Sequence, residues 1–272
     1  MNREFFETED GCRLAYVDEG LGIPVLWQHG LGADQNQPAE VFPSLDGIRR
    51  ITLECRGHGD SALGSVDAIS IAQFAEDAIA LLDHLGIERA VLGGISLGAA
   101  VALRLAVTRC ERAAALMLAR PAWIVEPAPE RLRIYREVAD LLETHGVTEG
   151  RRHLEESNRF REIERISPDN AVSMRGFFER PRSASTIALL DRIPTQGPGV
   201  SRDEIGRLTL PTLVVANDQD YVHPVETAVA LAGLIPRAEF RRITSKTVSR
   251  RRYVDEFREA LGEFLAPMRE RA

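Results

Sequence analysis

A mostly parallel β-sheet flanked by helices on both faces, interrupted by an inserted helical cap, is the α/β architecture this sequence predicts. Three observations predict it. Short runs that are apolar throughout, "PVLWQ" (24–28), "ITLE" (51–54), "AVLGG" (90–94), "ALMLA" (115–119) and "TLVVA" (212–216), suit strands covered on both sides by helices. Helical patterns alternate with these runs, the rhythm of a parallel sheet. The alternation then stops between residue 121 and about residue 208, where the chain is charged, helical in pattern and without a convincing strand.

Each element has its own signal. "REFFETE", an Asp10-Gly11 turn and "CRLAYVDEG" read as an N-terminal hairpin. Ser70 and Gln73 predict a capping box opening a helix whose Ile71, Phe74, Ala78, Leu81, Leu82 and Leu85 share a face, with Gly86 ending it. Residues 225–234 read as a further helix, "EFRRI" (239–243) as the last strand, and residues 253–265 as the final helix, with Tyr253, Phe257, Leu261 and Phe264 aligned. In the interruption, helices are expected over 130–145, 149–165 and 170–178, punctuated by "ISPDN", "ERPRS" and "TQGPG". The domain division is therefore a core of residues 1–120 and 208–272, with a helical cap of residues 121–207.

Composition narrows the function. With 34 Lys and Arg against 41 Asp and Glu, the net charge of −7 argues against nucleic-acid binding, which needs a basic face. Three cysteines, Cys12, Cys55 and Cys110, are odd in number and lack metal-ligand spacing, so reduced thiols and a cytoplasmic setting are expected. "MNREFFETEDG" has no signal-peptide pattern. Residues 90–103 are uncharged but too short for a membrane span, and they contain close glycines. No metal or nucleotide site is legible, because "GHGDS" and "GLGAD" lack phosphate-binding spacing. The expected partner is a small-molecule substrate, with no cofactor.

The chemistry-bearing signal is "VLGGISLGAA" (91–100). Ser96 stands in G-x-S-x-G between an apolar strand and a helical stretch, the context of a nucleophile on a strained strand-to-helix turn. The helix N-terminus beside it favours negative charge. The bland alternative is close strand–helix packing with an incidental serine.

Here the chain resembles the α/β-hydrolase fold family. "WQHGLG" (27–32) resembles the family's His-Gly loop. "LECRGHGDS" (53–61) resembles its Asp-x-Arg-Gly-x-Gly-x-Ser loop, with Glu54 in place of the aspartate. "LPTLVVANDQDYVHP" (210–224) resembles the strand and loop that bear the acid. The resemblance implies Ser96 as nucleophile, the N–H groups of Leu31 and Leu97 as an oxyanion hole for the bound substrate, and Asp220 as the acid, with Asp218 as runner-up.

One departure is large. The resemblance implies a histidine between the last strand and the final helix, and "ITSKTVSRRRYVDEF" (243–257) contains none. A serine hydroxyl needs a base to take its proton. His223, three residues past Asp220, is the candidate for a relocated base, against a role as pocket wall. His29 and His58 are others, in loops that resemble supporting structure. Lys246 occupies the segment that should hold the histidine, against a solvated lysine. His84, His145 and His153 fit helix ends or solvent. Six basic residues, Arg241, Arg242, Lys246, Arg250, Arg251 and Arg252, form a patch that either binds an anionic substrate group or pairs with nearby glutamates; Arg120 is a further candidate for such an anion site. Trp123, Tyr135, Phe160, Phe177 and Phe178 either roof a pocket or pack into a core.

The leading function is a cofactor-free serine hydrolase of a small carboxylic ester or lactone. A hydrolase-like binding protein that has lost turnover and a non-hydrolytic C–C cleaving or lyase enzyme are the alternatives, since one fold hosts many chemistries.

Overall fold

A computed structural model describes residues 3–270. Eight strands form one sheet: β1 (Glu4–Glu7), β2 (Arg13–Gly20), β3 (Ile23–Gln28), β4 (Ile48–Leu53), β5 (Ala90–Ile95), β6 (Ala113–Ala119), β7 (Thr212–Asn217) and β8 (Ala238–Ile243). Their spatial order is β1-β2-β4-β3-β5-β6-β7-β8. The β1–β2 and β2–β4 pairs are antiparallel and the other five are parallel. The strand order reverses between β3 and β5, and in such sheets ligands bind beyond the carboxyl ends of the strands at that point.

The helices outside the interruption are α1 (Asn36–Val41), α2 (Ile71–His84) and α3 (Leu97–Thr108) before it, and α9 (Val225–Leu234) and α10 (Arg250–Arg269) after it. Between β6 and β7 lie α4 (Arg133–Glu156), α5 (Asn158–Ile166), α6 (Pro168–Gly176), α7 (Ser183–Arg192) and α8 (Arg202–Gly206), with no strand. Strands β5 and β7 are buried at all six positions, which is why they read as uninterrupted apolar runs. One buried cluster, with α2, α3 and α9, covers one face of the sheet and continues into the helices between β6 and β7; a second, built on Trp27, Phe257 and Leu261, lies beneath α10.

Several expectations are refined by packing. Ser70 caps α2 by accepting the Gln73 N–H at 2.9 Å, but the Gln73 side chain donates to Asp77 instead of returning to Ser70, so the box is only half made. Helix α4 is a longer run broken at Gly146, whose φ of 70° ends one helix and lets the next begin. Helix α7 grows directly out of "ERPRS", so that segment holds a helix start as well as a turn. Helix α10 begins earlier than its apolar pattern, because Ser249 accepts the Arg252 N–H and supplies the cap. No helix among the described residues is long and apolar enough to cross a membrane.

The "LECRGHGDS" loop is a structural hub. Arg56, wholly buried, donates from Nε and Nη2 to both oxygens of Asp77 at 2.8 Å and also to Asp10. Glu54 accepts from the Gln35 N–H at 3.3 Å and the Asp60 N–H at 2.7 Å, so its longer side chain ties this loop to the one after β3. Removing one partner of a buried pair leaves an uncompensated charge. Asp77→Ala is expected to lose about 3 kcal/mol of unfolding free energy, against about 1 kcal/mol for Asp10→Ala, whose carboxylate is half-exposed; denaturant titration of both variants measures the difference.

Candidate active site

Strand β5 delivers Ser96 to the switch point and α3 starts at the next residue. Ser96 has φ 57° and ψ −109°, a conformation that side chains adopt only where the surroundings impose it. The flanking glycines supply those surroundings. A Cβ on Gly98 would lie 2.5 Å from the Gln28 carbonyl oxygen, and one on Gly94 would lie 2.6 Å from the Gly98 carbonyl carbon. The packing role of the glycines and the exposure of the serine oxygen are thus one arrangement: close strand–helix approach forces the turn.

Two backbone bonds align the neighbouring strand ends. The Ser96 N–H donates to Ala119 O at 2.9 Å, and the Arg120 N–H donates to Val215 O at 2.7 Å. The loop after β7 then brings Asp220 and His223 beside the serine. The Ser96 hydroxyl meets His223 Nε2 at 2.8 Å, and His223 Nδ1 meets Asp220 Oδ1 at 2.9 Å. Asp220 Oδ1 also accepts the His223 N–H at 3.1 Å, closing a tight turn between acid and histidine. Burial pushes the Asp220 carboxyl upward, but the Arg120 charge and the hydrogen bonds from His223 and Arg120 outweigh it and hold it well below the usual carboxylate range. An ionised Asp220 only accepts, so Nδ1 carries the ring proton and the Nε2 lone pair faces the hydroxyl. Burial also lowers the pKa of His223, opposed by Asp220 and reinforced by Arg120, which keeps the ring neutral.

The other candidates for the base are committed elsewhere. His29 donates from Nδ1 to Gly30 O at 2.8 Å and accepts the Cys55 N–H on Nε2 at 3.0 Å. His58 donates from Nδ1 to Arg56 O at 3.0 Å and accepts the Gly32 N–H on Nε2 at 2.9 Å. Both rings are buried, with no lone pair left for a serine. Lys246 lies 3.5 Å from Glu40 and over the Tyr253 ring. Asp218, the runner-up acid, is exposed and 3.6 Å from Arg242.

The expected oxyanion donors flank the serine. Leu97 is the first residue of α3, and Gln37 Oε1 accepts the neighbouring Gly30 N–H at 2.7 Å, shaping the loop that carries Leu31. Among the described residues, neither the Leu31 nor the Leu97 N–H donates to a backbone carbonyl of another element. Above them is a cavity of about 260 Å³, lined by Leu31, Ser96, Arg120 and His223 from the core and by Tyr135, Asn170 and Arg180 from the helices between β6 and β7. Of the five aromatics, Tyr135 and Phe177 line this cavity, while Trp123, Phe160 and Phe178 are packing residues.

The basic patch does not form an anion site. Each of its six cations has a carboxylate within 4 Å: Glu239 and Glu263 for Arg241, Asp218 for Arg242, Glu40 for Lys246 and Arg250, Asp255 for Arg251, and Glu256 for Arg252. None lines the cavity. Arg120 does line it, but its guanidinium is spent on Asp220. The cation that sequence reading missed is Arg180, inside "ERPRS", where only turn signals were visible. It lines the cavity, its guanidinium lies 4.8 Å over the Phe177 ring, its buried Nε has no hydrogen-bond partner, and no carboxylate among the described residues lies within 4 Å. Burial lowers its pKa, with Asp34 opposing more weakly. Ser167 and Asn170 were also missed: the Ser167 hydroxyl donates to Gln219 O and accepts the Tyr221 N–H, both at 2.6 Å, and Asn170 Oδ1 accepts the Val222 N–H at 2.9 Å.

The family profile described as alpha/beta hydrolase fold matches residues 23–246. The chain is 28% identical over 248 residues to the 2-hydroxymuconate semialdehyde hydrolase of Pseudomonas sp. (strain CF600), covering 84% of this chain and 81% of that protein. It is 39% identical over 106 residues to a dihydrolipoyllysine-residue acetyltransferase component of the acetoin cleaving system of Pseudomonas putida, a match covering 39% of this chain and 28% of that protein. Among solved structures, a malate-bound thermophilic esterase from Thermogutta terrifontis superposes with a TM-score of 0.74 at 26% identity, covering 97% of this chain and 99% of that one.

The buried neutral histidines have a consequence for stability. Burial lowers the His29 pKa from 6.5 to about 4, and His58 is lowered as well, by burial and then by His29. The unfolded chain takes up these protons below pH 6.5 and the folded one does not, so stability is full above 6.5 and falls as the pH drops towards 4. For His29 alone the loss is about 3 kcal/mol. Denaturant titrations across this window are expected to show that fall, with a shallower slope in His29→Gln.

Proposed function

The chain belongs to the alpha/beta hydrolase fold family, and on that premise we propose that it is a cofactor-free serine hydrolase cleaving a small carboxylic ester or lactone that carries an anionic group. The observation that carries this reading is the unbroken hydrogen-bond relay from Ser96 through His223 to Asp220, opening on a cavity. The D-x-x-H spacing supplies the base that the usual segment lacks.

The chemistry follows from that relay. The Ser96 oxygen attacks the substrate carbonyl as its proton passes to His223 Nε2, and Asp220 stabilises the imidazolium so formed. The carbonyl oxygen becomes negative only during this step, and in this reading the Leu31 and Leu97 N–H groups hold it. The proton on Nε2 then goes to the departing alkoxide, leaving an acyl-serine. Water, deprotonated by the same nitrogen, attacks the acyl carbon and regenerates the hydroxyl.

The anionic part of the reading rests on Arg180, an unpaired guanidinium in the wall of the cavity. A planar fork with free donors suits a carboxylate. Consistent with this, the esterase from Thermogutta terrifontis is malate-bound. A binding protein without turnover gains nothing from a neutral histidine bonded to a serine held in a left-handed conformation, which argues for the enzyme.

Organophosphonate labelling is expected to modify Ser96 and to fail in Ser96→Ala; kcat/KM should fall by about 10⁴-fold or more in Ser96→Ala and His223→Ala, with Lys246→Ala retaining activity. Paired ester substrates with and without a carboxylate test the specificity. Arg180→Met is expected to lower kcat/KM for the carboxylate-bearing ester by about 10- to 100-fold and to leave the neutral ester unchanged.

A further inference from the structure

His223 uses only one of the two oxygens of Asp220. The other, Oδ2, accepts from Arg120 Nε at 2.7 Å and is ion-paired with Arg120 Nη2 at 2.6 Å. Arg120 is the first residue after β6 and has φ 47°, a left-handed conformation that bulky side chains avoid. Its N–H is fixed on Val215 O of the next strand, so the strained backbone and the adjacent strand together aim the side chain at the acid.

The remaining groups around this guanidinium leave the acid as its anion. Tyr253 of α10 lies buried beside it, and Tyr135 of α4 lines the same cavity. Lys246 repels it from the loop before α10, but is itself neutralised by Glu40. Arg131, beside His223, donates to Val222 O at 2.9 Å. The segment that should carry the family's histidine thus approaches Asp220 with a tyrosine, while the acid's free oxygen is taken from the β6 side.

We propose that Arg120 is a positioning residue, clamping Oδ2 so that Oδ1 faces the ring of a histidine only three residues further along the same loop. The inference rests on the hydrolase reading of the site. A histidine so near in sequence leaves few loop torsions to orient the pair, and an aspartate held at one oxygen alone can rotate about its terminal bond. The clamp also supplies a charge. An isolated Asp220 would favour the imidazolium form of His223; Arg120 cancels much of that carboxylate charge and leaves the ring free to accept a proton at neutral pH.

Arg120→Met removes clamp and charge, and Arg120→Lys keeps the charge without the fork. The His223 ring is followed by NMR titration of histidine-labelled protein, its signals assigned by their loss in His223→Gln, alongside the pH profile of kcat/KM on a neutral ester. In Arg120→Met, the ring titration and the acid limb of the profile are expected to move up together by about one pH unit or more, with kcat lowered and KM unchanged. Arg120→Lys should titrate near wild type yet remain slower. A folded Arg120→Met whose ring titrates as in wild type, or whose only defect is in KM, overturns the proposal. If Arg120→Met does not fold, Arg120→Lys decides, and full wild-type kcat in that variant is the overturning result. Phosphonate labelling of the wild-type serine separates the two readings: no labelling ends the hydrolase proposal, while the ring titration tests the clamp independently of turnover.

Discussion

The geometry of the site depends on the lateral alignment of three strand ends. Two backbone hydrogen bonds, Ser96 N–H to Ala119 O and Arg120 N–H to Val215 O, lock the carboxyl ends of β5, β6 and β7 side by side. Because the strands are parallel, their carboxyl ends emerge on one edge, and whatever the next residues carry is brought together there. Ser96, Arg120 and Gln219, three of the four non-glycine residues with positive φ among those described, sit at or just beyond these ends. Strain of this kind, about 1–3 kcal/mol per residue, persists only where packing over-determines it. Here the close β3–β5–α3 contact supplies that packing.

How much of this was legible in the sequence follows from what each signal encodes. The strands were readable because burial on both faces leaves an apolar run, and the structure extends "ITLE" only backward, to Ile48. The Ser96 turn was readable because close backbone approach demands glycine. The family resemblance is borne out by the profile match. The hydrogen-bond partner of Ser96 was not decidable, because a sequence shows that His223 lies three residues past Asp220 but not which way the loop turns the ring. That depends on contacts from far along the chain, namely Ser167 and Asn170 on the loop backbone and Arg120 on the carboxylate. Arg180 was invisible for a related reason: the absence of a partner is a property of three-dimensional surroundings and leaves no mark on local pattern.

Charge in this acidic protein is organised by pairing. Every cation in the run from Arg241 to Arg252 has a carboxylate partner, Glu40 being shared by Lys246 and Arg250, so what reads as a patch in one dimension is a set of ion pairs. Such exposed pairs contribute little individually. The buried charges matter more: Arg56 with Asp77 organises the loop beside the site, and Arg120 with Asp220 belongs to the site itself. Against that background, a cavity-facing guanidinium with no anion of its own stands apart.

The hydrogen bonds from Ser167 and Asn170 also bear on how a molecule reaches the serine. Swinging the whole of α4–α7 away from the sheet would break three bonds to the loop carrying Asp220 and His223, loosening the Ser96–His223–Asp220 contacts in the act of opening it. On the opposite flank the segment is tied by Arg182 to Ser61 O and Gly59 O, away from Asp220 and His223. There Arg180, with Ala33 and Gly176, borders both the inner cavity and an outer hollow of about 480 Å³ beside Asp34 and Arg182, and its buried Nε has no hydrogen-bond partner among the described residues. An approach past Arg180 leaves in place the contacts that hold Asp220 and His223.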